Sequence, residues 1–159
     1  MSRRAAGTAA AAAGVLAAAL LLGGCGDDAA DAADAADAAP ELSATGAFIP
    51  APASGDVAAG FLTLHNEGDA DDALVSAGSD IAGTVEIHET ADNAMRQVES
   101  LTVPAGGELR LSRGGNHLML LDLSRTPAEG ETVSIELHFE TSDPITLDVP
   151  VEAATHTGE

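Results

Sequence analysis

The chain of 159 residues has no Trp, no Tyr and no Lys, and it has a single Cys. Without Trp or Tyr and with three Phe, its core must be built from Val, Leu, Ile and Ala. One Cys allows no internal disulfide. Positive charge is scarce, with six Arg against 26 acidic residues and a net charge of −20. This balance argues against binding to nucleic acid, or to anionic lipid through charge.

Motifs typical of nucleotide-binding proteins and hydrolases are also missing. Neither GxxxxGK[ST] nor GxGxxG occurs, so no nucleotide is indicated. His88 and Glu89 do not begin an HExxH zinc motif, because Asp92 stands where the second His would be. No GxSxG nucleophile elbow is present. We therefore expect a protein that is not an enzyme.

The first 25 residues are typical of an export signal. Arg3 and Arg4 form a basic start, a long apolar run follows, and small residues lead to Cys25. Residues 22–25, Leu-Gly-Gly-Cys, resemble a bacterial lipobox, in which the cysteine is lipidated and becomes the mature N-terminus. We predict a lipoprotein signal peptide over residues 1–24 and an extracytoplasmic protein that only its lipid anchors to the cell membrane. The alternatives are an uncleaved membrane anchor and an unmodified thiol.

The rest of the chain divides into a linker, a domain and a tail. Residues 25–42 are rich in Ala and Asp, which cannot bury a core, so we expect an extended spacer. From residue 43 onwards, short apolar or alternating segments are separated by turn residues. About eight to nine such segments without an amphipathic helix predict an all-β sandwich over residues 43–152. Residues 153–159 are predicted to be a disordered tail.

Four residues have the ligand chemistry of a soft metal site: His88, Met95, His117 and Met119. His88 ends a predicted strand, and Met95 lies in or just past the loop that follows. His117 and Met119 are one residue apart in a predicted strand, so their side chains project from the same face. Two imidazoles and two thioethers suit Cu(I), whereas thioethers bind Zn²⁺, Mg²⁺ and Ca²⁺ poorly. The alternative places Met119 in the core, His117 at its rim and the other two in ordinary surface or packing roles.

These residues and their surroundings resemble the PCuAC family of extracytoplasmic copper chaperones. The pattern of that family is a His, a spacer, a Met, twenty-one residues and then His-x-Met. In this chain residues 96–116, which number twenty-one, separate Met95 from His117. The resemblance covers about residues 44–151, and the flanking segments that match are 58–66, 85–90, 103–107, 114–120 and 149–151.

The resemblance implies a cupredoxin-like Greek-key β-sandwich with Cu(I) bound by His88, Met95, His117 and Met119. It also implies that copper is inserted into the CuA centre of cytochrome c oxidase, with the CuA subunit or a Sco-type copper protein as partner. Copper buffering without a delivery partner is the alternative that the ligands leave open. An electron-transfer cupredoxin is disfavoured, because its site needs a Cys thiolate and Cys25 lies outside the domain.

The chain departs from the family pattern between the first His and the Met. Residues 89–94 number six, whereas ten residues are commonest there. The loop is four residues shorter, and this bears on whether Met95 reaches the ion with the geometry of the family. The second Met that often occurs in this loop is absent, as is the His- and Met-rich tail of some members. Other side chains receive simpler interpretations, as surface or solvated groups: His65, His138, His156, Glu86 and Glu89. The alternatives are a copper contact for His65 and, for Glu86, which shares the strand face of His88, or for Glu89, the orientation of a ligating imidazole.

Overall fold

The computed structural model describes residues 38–92 and 94–158, and this part of the chain contains ten strands and no helix. It therefore contains no helix that could span a membrane. The signal peptide over residues 1–24, the lipidated Cys25 and the linker up to residue 37 lie outside the described residues. The strands are β1 Leu42–Pro50, β2 Val57–Asn66, β3 Asp72–Ser79, β4 Ala82–Ala91, β5 Ala94–Gln97, β6 Leu101–Val103, β7 Glu108–Leu111, β8 His117–Leu123, β9 Thr132–Phe139 and β10 Ile145–Glu152.

The strands form two layers that are joined through β1. One layer has the order β5-β4-β8-β2, with β1 and β7 also paired to β2, and the other has the order β10-β9-β3-β6. The register of β1 against β2 shifts between Thr45 and Phe48, where Gly46 adopts a φ of 61°. Beyond this irregularity, Ile49 pairs in parallel with Val151 of β10. A bulge of this kind is how one strand serves both sheets of a sandwich.

The core lies between the layers and follows the period-two pattern of the strands. In β9, Val133, Ile135, Leu137 and Phe139 are all buried, and the polar side chains that alternate with them face outward. Branched aliphatic side chains dominate the core, in agreement with the absence of Trp and Tyr. Burying each such side chain contributes about 1.5–3 kcal/mol. The all-β sandwich predicted from the sequence is confirmed.

The segment around Met95 lies just past the loop that follows β4, in a strand that the sequence did not predict. Ala94–Gln97 is strand β5, which forms a hairpin with β4 and lies at the edge of its layer, so the described residues hold ten strands rather than eight or nine. The hairpin is tight because Ala91 pairs with Ala94 and Asp92 adopts a φ of 53°. The sequence concealed this strand, since its four residues are all exposed and carry no alternation.

The C-terminal segment also differs from its prediction as a disordered tail. The Arg113 guanidinium donates hydrogen bonds to the carbonyl oxygens of Ala154, at 2.7 Å, and His156, at 2.9 Å. The His156 ring packs edge-on against Phe48, with ring centres 4.7 Å apart. Residues 153–158 therefore pack against the sandwich, through contacts with distant residues that local composition does not reveal.

Asp72 is a buried carboxylate that connects β3 to the turn between β9 and β10. It accepts hydrogen bonds from the backbone amides of Ala73 at 2.8 Å, Thr141 at 3.1 Å and Ser142 at 2.9 Å. Burial raises the pKa of Asp72, but the nearby Ser142 hydroxyl and these amides outweigh that effect and lower the pKa to about 2. The carboxylate is thus held in its charged form by the fold.

We expect Asp72 to make the free energy of unfolding depend on pH at the acid end. A pKa lowered from 3.8 to about 2 stabilises the folded state by about 2 kcal/mol above pH 4, and this is lost as the pH falls towards 2. Urea unfolding of Asp72→Asn should show a lower stability at pH 6 and a flatter pH dependence than the parent protein. Asp148→Asn, at an exposed position of β10, is the control. Parallel pH profiles for the parent protein and Asp72→Asn would contradict this expectation.

Candidate metal centre

Pairing between β4 and β8 brings two of the predicted ligands directly opposite each other. His88 of β4 is in register with His117 of β8, and their ring centres are 5.4 Å apart. Met119 follows on the same face of β8, where it is in register with Glu86 of β4. The intervening Leu118 is fully buried in the core, so the ligand side chains lie on the outer face of this layer.

The hydrogen bond of His117 determines which of its ring nitrogens can bind a metal. His117 is 6 % exposed, with the Phe61 ring centre 6.4 Å from its own. Its Nδ1 lies 3.0 Å from the carbonyl oxygen of Gly115. Because a carbonyl oxygen only accepts, Nδ1–H donates this bond, and Nε2 of the neutral ring then carries the free lone pair.

His88 is held in the complementary way by a carboxylate on its own strand. Its Nε2 lies 2.8 Å from Glu86 Oε2 and donates to that oxygen, which leaves the lone pair on Nδ1. This Nδ1 is buried and has no hydrogen-bond partner among the described residues. An unsatisfied buried acceptor costs about 1–3 kcal/mol, and a bound metal ion would satisfy it. The donor set therefore fits a soft metal ion.

Glu86 and Glu89 have different roles, although the sequence suggested the same solvated state for both. Glu86 binds His88 and so belongs to the site, as a carboxylate that orients an imidazole. Glu89 instead forms an ion pair with Arg96 of β5. The favoured interpretation of Glu86 as a solvated carboxylate is therefore wrong. The alternative, that Glu86 orients an imidazole on its own strand face, agrees with this contact.

The two methionines flank the histidine pair on opposite sides. Met119 is half-buried and lines an open groove together with Phe61, Arg113 and the residues 50–54. Met95 of β5 is in register with Thr90 of β4, two residues from His88 and on the same face. Diagonal neighbours on paired strands are about 7–8 Å apart, within reach of a long side chain. Met95 is 63 % exposed, so its side chain has room to turn towards His88.

The remaining histidines lie outside this arrangement. His65 contacts Thr45 and Glu108, and His138 forms an ion pair with Glu136. His156 packs on Phe48. Across residues 38–92 and 94–158, no three or more His, Cys, Asp and Glu side chains are grouped so that they could hold a metal ion. The histidine pair with its two methionines is a ligand set of a different composition.

Sequence reasoning missed two residues that contact the site. Thr90 donates a hydrogen bond to the Gly115 carbonyl oxygen at 3.0 Å, and the Arg113 guanidinium stacks over Phe61, 5.9 Å from the ring centre. The paired glycines at 114 and 115 marked a turn in the sequence. Nothing in the sequence indicated that Thr90 would contact this turn or that Arg113 would stack on Phe61.

A family model described as "Putative lipoprotein LpqE-like" matches residues 42–151, which is more than half of the chain. The chain belongs to this LpqE-like family. A relative from Leifsonia xyli subsp. xyli, described as "Putative lipoprotein Lxx21020", is 32 % identical over 111 residues. The match covers 67 % of this chain and 66 % of that protein, just under two thirds of its length.

Solved structures share the fold of this LpqE-like chain. The solution structure of CuI-DR1885 from Deinococcus radiodurans is 32 % identical with a TM-score of 0.63, covering 79 % of this chain and 87 % of that one. The apo PCuAC domain of PmoF1 is 26 % identical with a TM-score of 0.66, covering 74 % of this chain and 97 % of that domain. These similarities confirm the resemblance to the PCuAC family and the cupredoxin-like β-sandwich.

Proposed function

We propose that this protein is an extracytoplasmic Cu(I) carrier, anchored by a lipid on Cys25, that supplies copper for the CuA centre of cytochrome c oxidase. The observation that carries the proposal is the histidine pair on the outer face of the β4–β8 layer. His88 and His117 are in register, and each hydrogen bond of their rings engages one nitrogen and leaves the lone pair on the other. The likeness to CuI-DR1885, a Cu(I)-bound protein by its description, supports the choice of metal.

The proposed ligands are His88, Met95, His117 and Met119. Neutral imidazoles and thioethers are soft donors without charge, and such donors favour Cu(I) over the hard divalent cations. The single Cys of the chain is Cys25, which the proposal assigns to the lipid anchor, so the proposed ligand set contains no thiolate. A site without thiolates binds copper less tightly than a cysteine cage would, as a carrier requires.

The positions of the ligands suggest how copper leaves. Met95 is exposed on the edge strand β5, whereas His117 is buried. Thiolates of an acceptor, either the CuA subunit or a Sco-type protein, would therefore displace the Met95 thioether first. The negatively charged thiolates of the acceptor, which are softer ligands, then replace the remaining ligands one at a time, and copper moves to the acceptor. No reaction of a substrate is involved, so the protein acts as a carrier and not as an enzyme.

Copper transfer between purified proteins tests the proposal. The protein is loaded with Cu(I) without oxygen and mixed with a copper-free CuA domain, and the copper in each is measured after separation. We expect copper to move to the CuA domain, and to remain with this protein when the acceptor's cysteines are replaced by serine. Retention of copper in the presence of both a CuA domain and a Sco-type acceptor would favour buffering. An oxidase that keeps its activity at limiting copper in a deletion strain would do the same.

A further inference from the structure

Thr90 is connected to His117 through a single backbone carbonyl. The Thr90 hydroxyl donates to the Gly115 oxygen at 3.0 Å, and Nδ1–H of His117 donates to the same oxygen at 3.0 Å. A carbonyl oxygen has two lone pairs, so these two bonds use its full acceptor capacity. The contact joins residues that are 25 positions apart in the chain.

The Gly115 carbonyl lies in a turn that contains a left-handed glycine. Gly114 adopts a φ of 78°, in the left-handed region that favours glycine. Local bonds between Ser112 and Gly115 and between Ser112 and Asn116 close the turn, but none of them involves the Gly115 oxygen. Thr90 contacts that oxygen from the regular strand β4, so it provides an anchor that the turn itself lacks.

Thr90 also lies next to the proposed ligands. It is two residues from His88 on the same face of β4, and it is in register with Met95 of β5. Thr90 is thus next to the β4–β5 hairpin on one side and bonded to the turn before His117 on the other. It is half-buried, so water competes with its hydrogen bond less than at a fully exposed position.

We infer that Thr90 is a positioning residue for the metal centre. By holding the Gly115 carbonyl, it keeps the His117 hydrogen on Nδ1 and the lone pair on Nε2, ready for copper. The inference rests on the copper site proposed above, but the state of the ring that it describes exists in the metal-free protein. Groups that orient metal-binding histidines typically contribute 10–100-fold to metal affinity.

The matched variants Thr90→Val and Thr90→Ser test this role. Valine has the shape of threonine without the hydroxyl, and serine keeps the hydroxyl. In metal-free protein, ¹⁵N NMR of the His117 ring should show the Nδ1–H form in the parent and in Thr90→Ser. In Thr90→Val, the ¹⁵N chemical shifts of the ring should move towards those of a mixture of the Nδ1–H and Nε2–H forms. The Cu(I) affinity of Thr90→Val, measured by chelator competition, should fall by about 10- to 100-fold, while Thr90→Ser keeps the parent's affinity.

Thr102→Val, at an exposed position of β6, is the control for a general effect of the substitution, and far-UV circular dichroism checks that each variant is folded. An unchanged His117 ring in Thr90→Val would overturn the inference, whatever its affinity for copper. So would an altered ring with unchanged affinity, or equal losses for valine and serine. If the parent binds no Cu(I), the proposed function fails instead, and the ring measurement still reports on the hydrogen bond from Thr90.

Discussion

Replacing His117 by alanine should abolish tight Cu(I) binding. His117 is buried, its Nδ1–H is hydrogen-bonded to the Gly115 carbonyl oxygen, and the lone pair on its Nε2 is free to bind a metal ion. Even loss of a group that only orients a ligand costs about 10–100-fold in affinity, so loss of the ligand itself should cost more than about 100-fold. Anaerobic titration against a Cu(I) chelator of known affinity measures this loss.

His65→Ala is the matched control for His117→Ala. His65 is also a strand histidine, but it contacts Thr45 and Glu108 away from the metal centre, so its replacement should leave the Cu(I) affinity unchanged. X-ray absorption of the Cu(I) form should show fewer nitrogen neighbours in His117→Ala alone. Parent-like affinity in His117→Ala would contradict the proposed site, and a similar loss in His65→Ala would show that the two histidines are not distinguished by the site.

Replacing Leu120 by alanine should have the largest effect on stability. Leu120 of β8 is fully buried, and its Cδ1 packs closely over Gly60 of β2, which has no side chain to fill the space. Leucine-to-alanine changes in such positions lower the free energy of unfolding by about 2–5 kcal/mol, through lost burial and the cavity that remains. Because the chain has no Trp or Tyr, urea unfolding is best followed by far-UV circular dichroism.

The Cu(I) affinity of Leu120→Ala tests whether Leu120 and Met119 lie on opposite faces of β8. Leu120 points into the core and Met119 to the outer face, so folded Leu120→Ala should bind Cu(I) as tightly as the parent. At a free Cu(I) concentration of 100 times Kd, both proteins should gain about 2.7 kcal/mol of stability. Val75→Ala, at a half-exposed position of β3, is the control and should cost much less. A small loss of stability in Leu120→Ala, or a weakened Cu(I) affinity, would contradict this assignment of faces.

The alternation of side chains along β8 could be predicted from the sequence. The alternation of residues 117–121 predicted that His117 and Met119 share one face and that Leu118 and Leu120 share the other, and the burial of the two leucines confirms it. The same period of two accounts for the buried face of β9. Side-chain direction in a strand depends on neighbouring residues alone, and for that reason the sequence is sufficient.

The set of metal ligands came from residue types and spacing, and it stays a prediction for His88, Met95, His117 and Met119. The sequence could not say that Ala94–Gln97 is a strand, because its four exposed residues carry no periodic signal. This strand places Met95 on the same face as His88 despite the shortened loop. A short loop that looked like a departure is thus a tight hairpin that keeps the methionine beside the histidine.

The sequence by itself determined the strand pattern, the aliphatic core, the acidic charge and the candidate ligands, because each depends on composition or on close neighbours. Only the tertiary structure decided that His88 lies opposite His117 and that Thr90 shares the Gly115 carbonyl with His117. It also decided that residues 153–158 pack against Arg113 and Phe48. Most of these contacts join residues 25 or more positions apart, and the register of paired strands, which local sequence does not specify, sets which side chains meet.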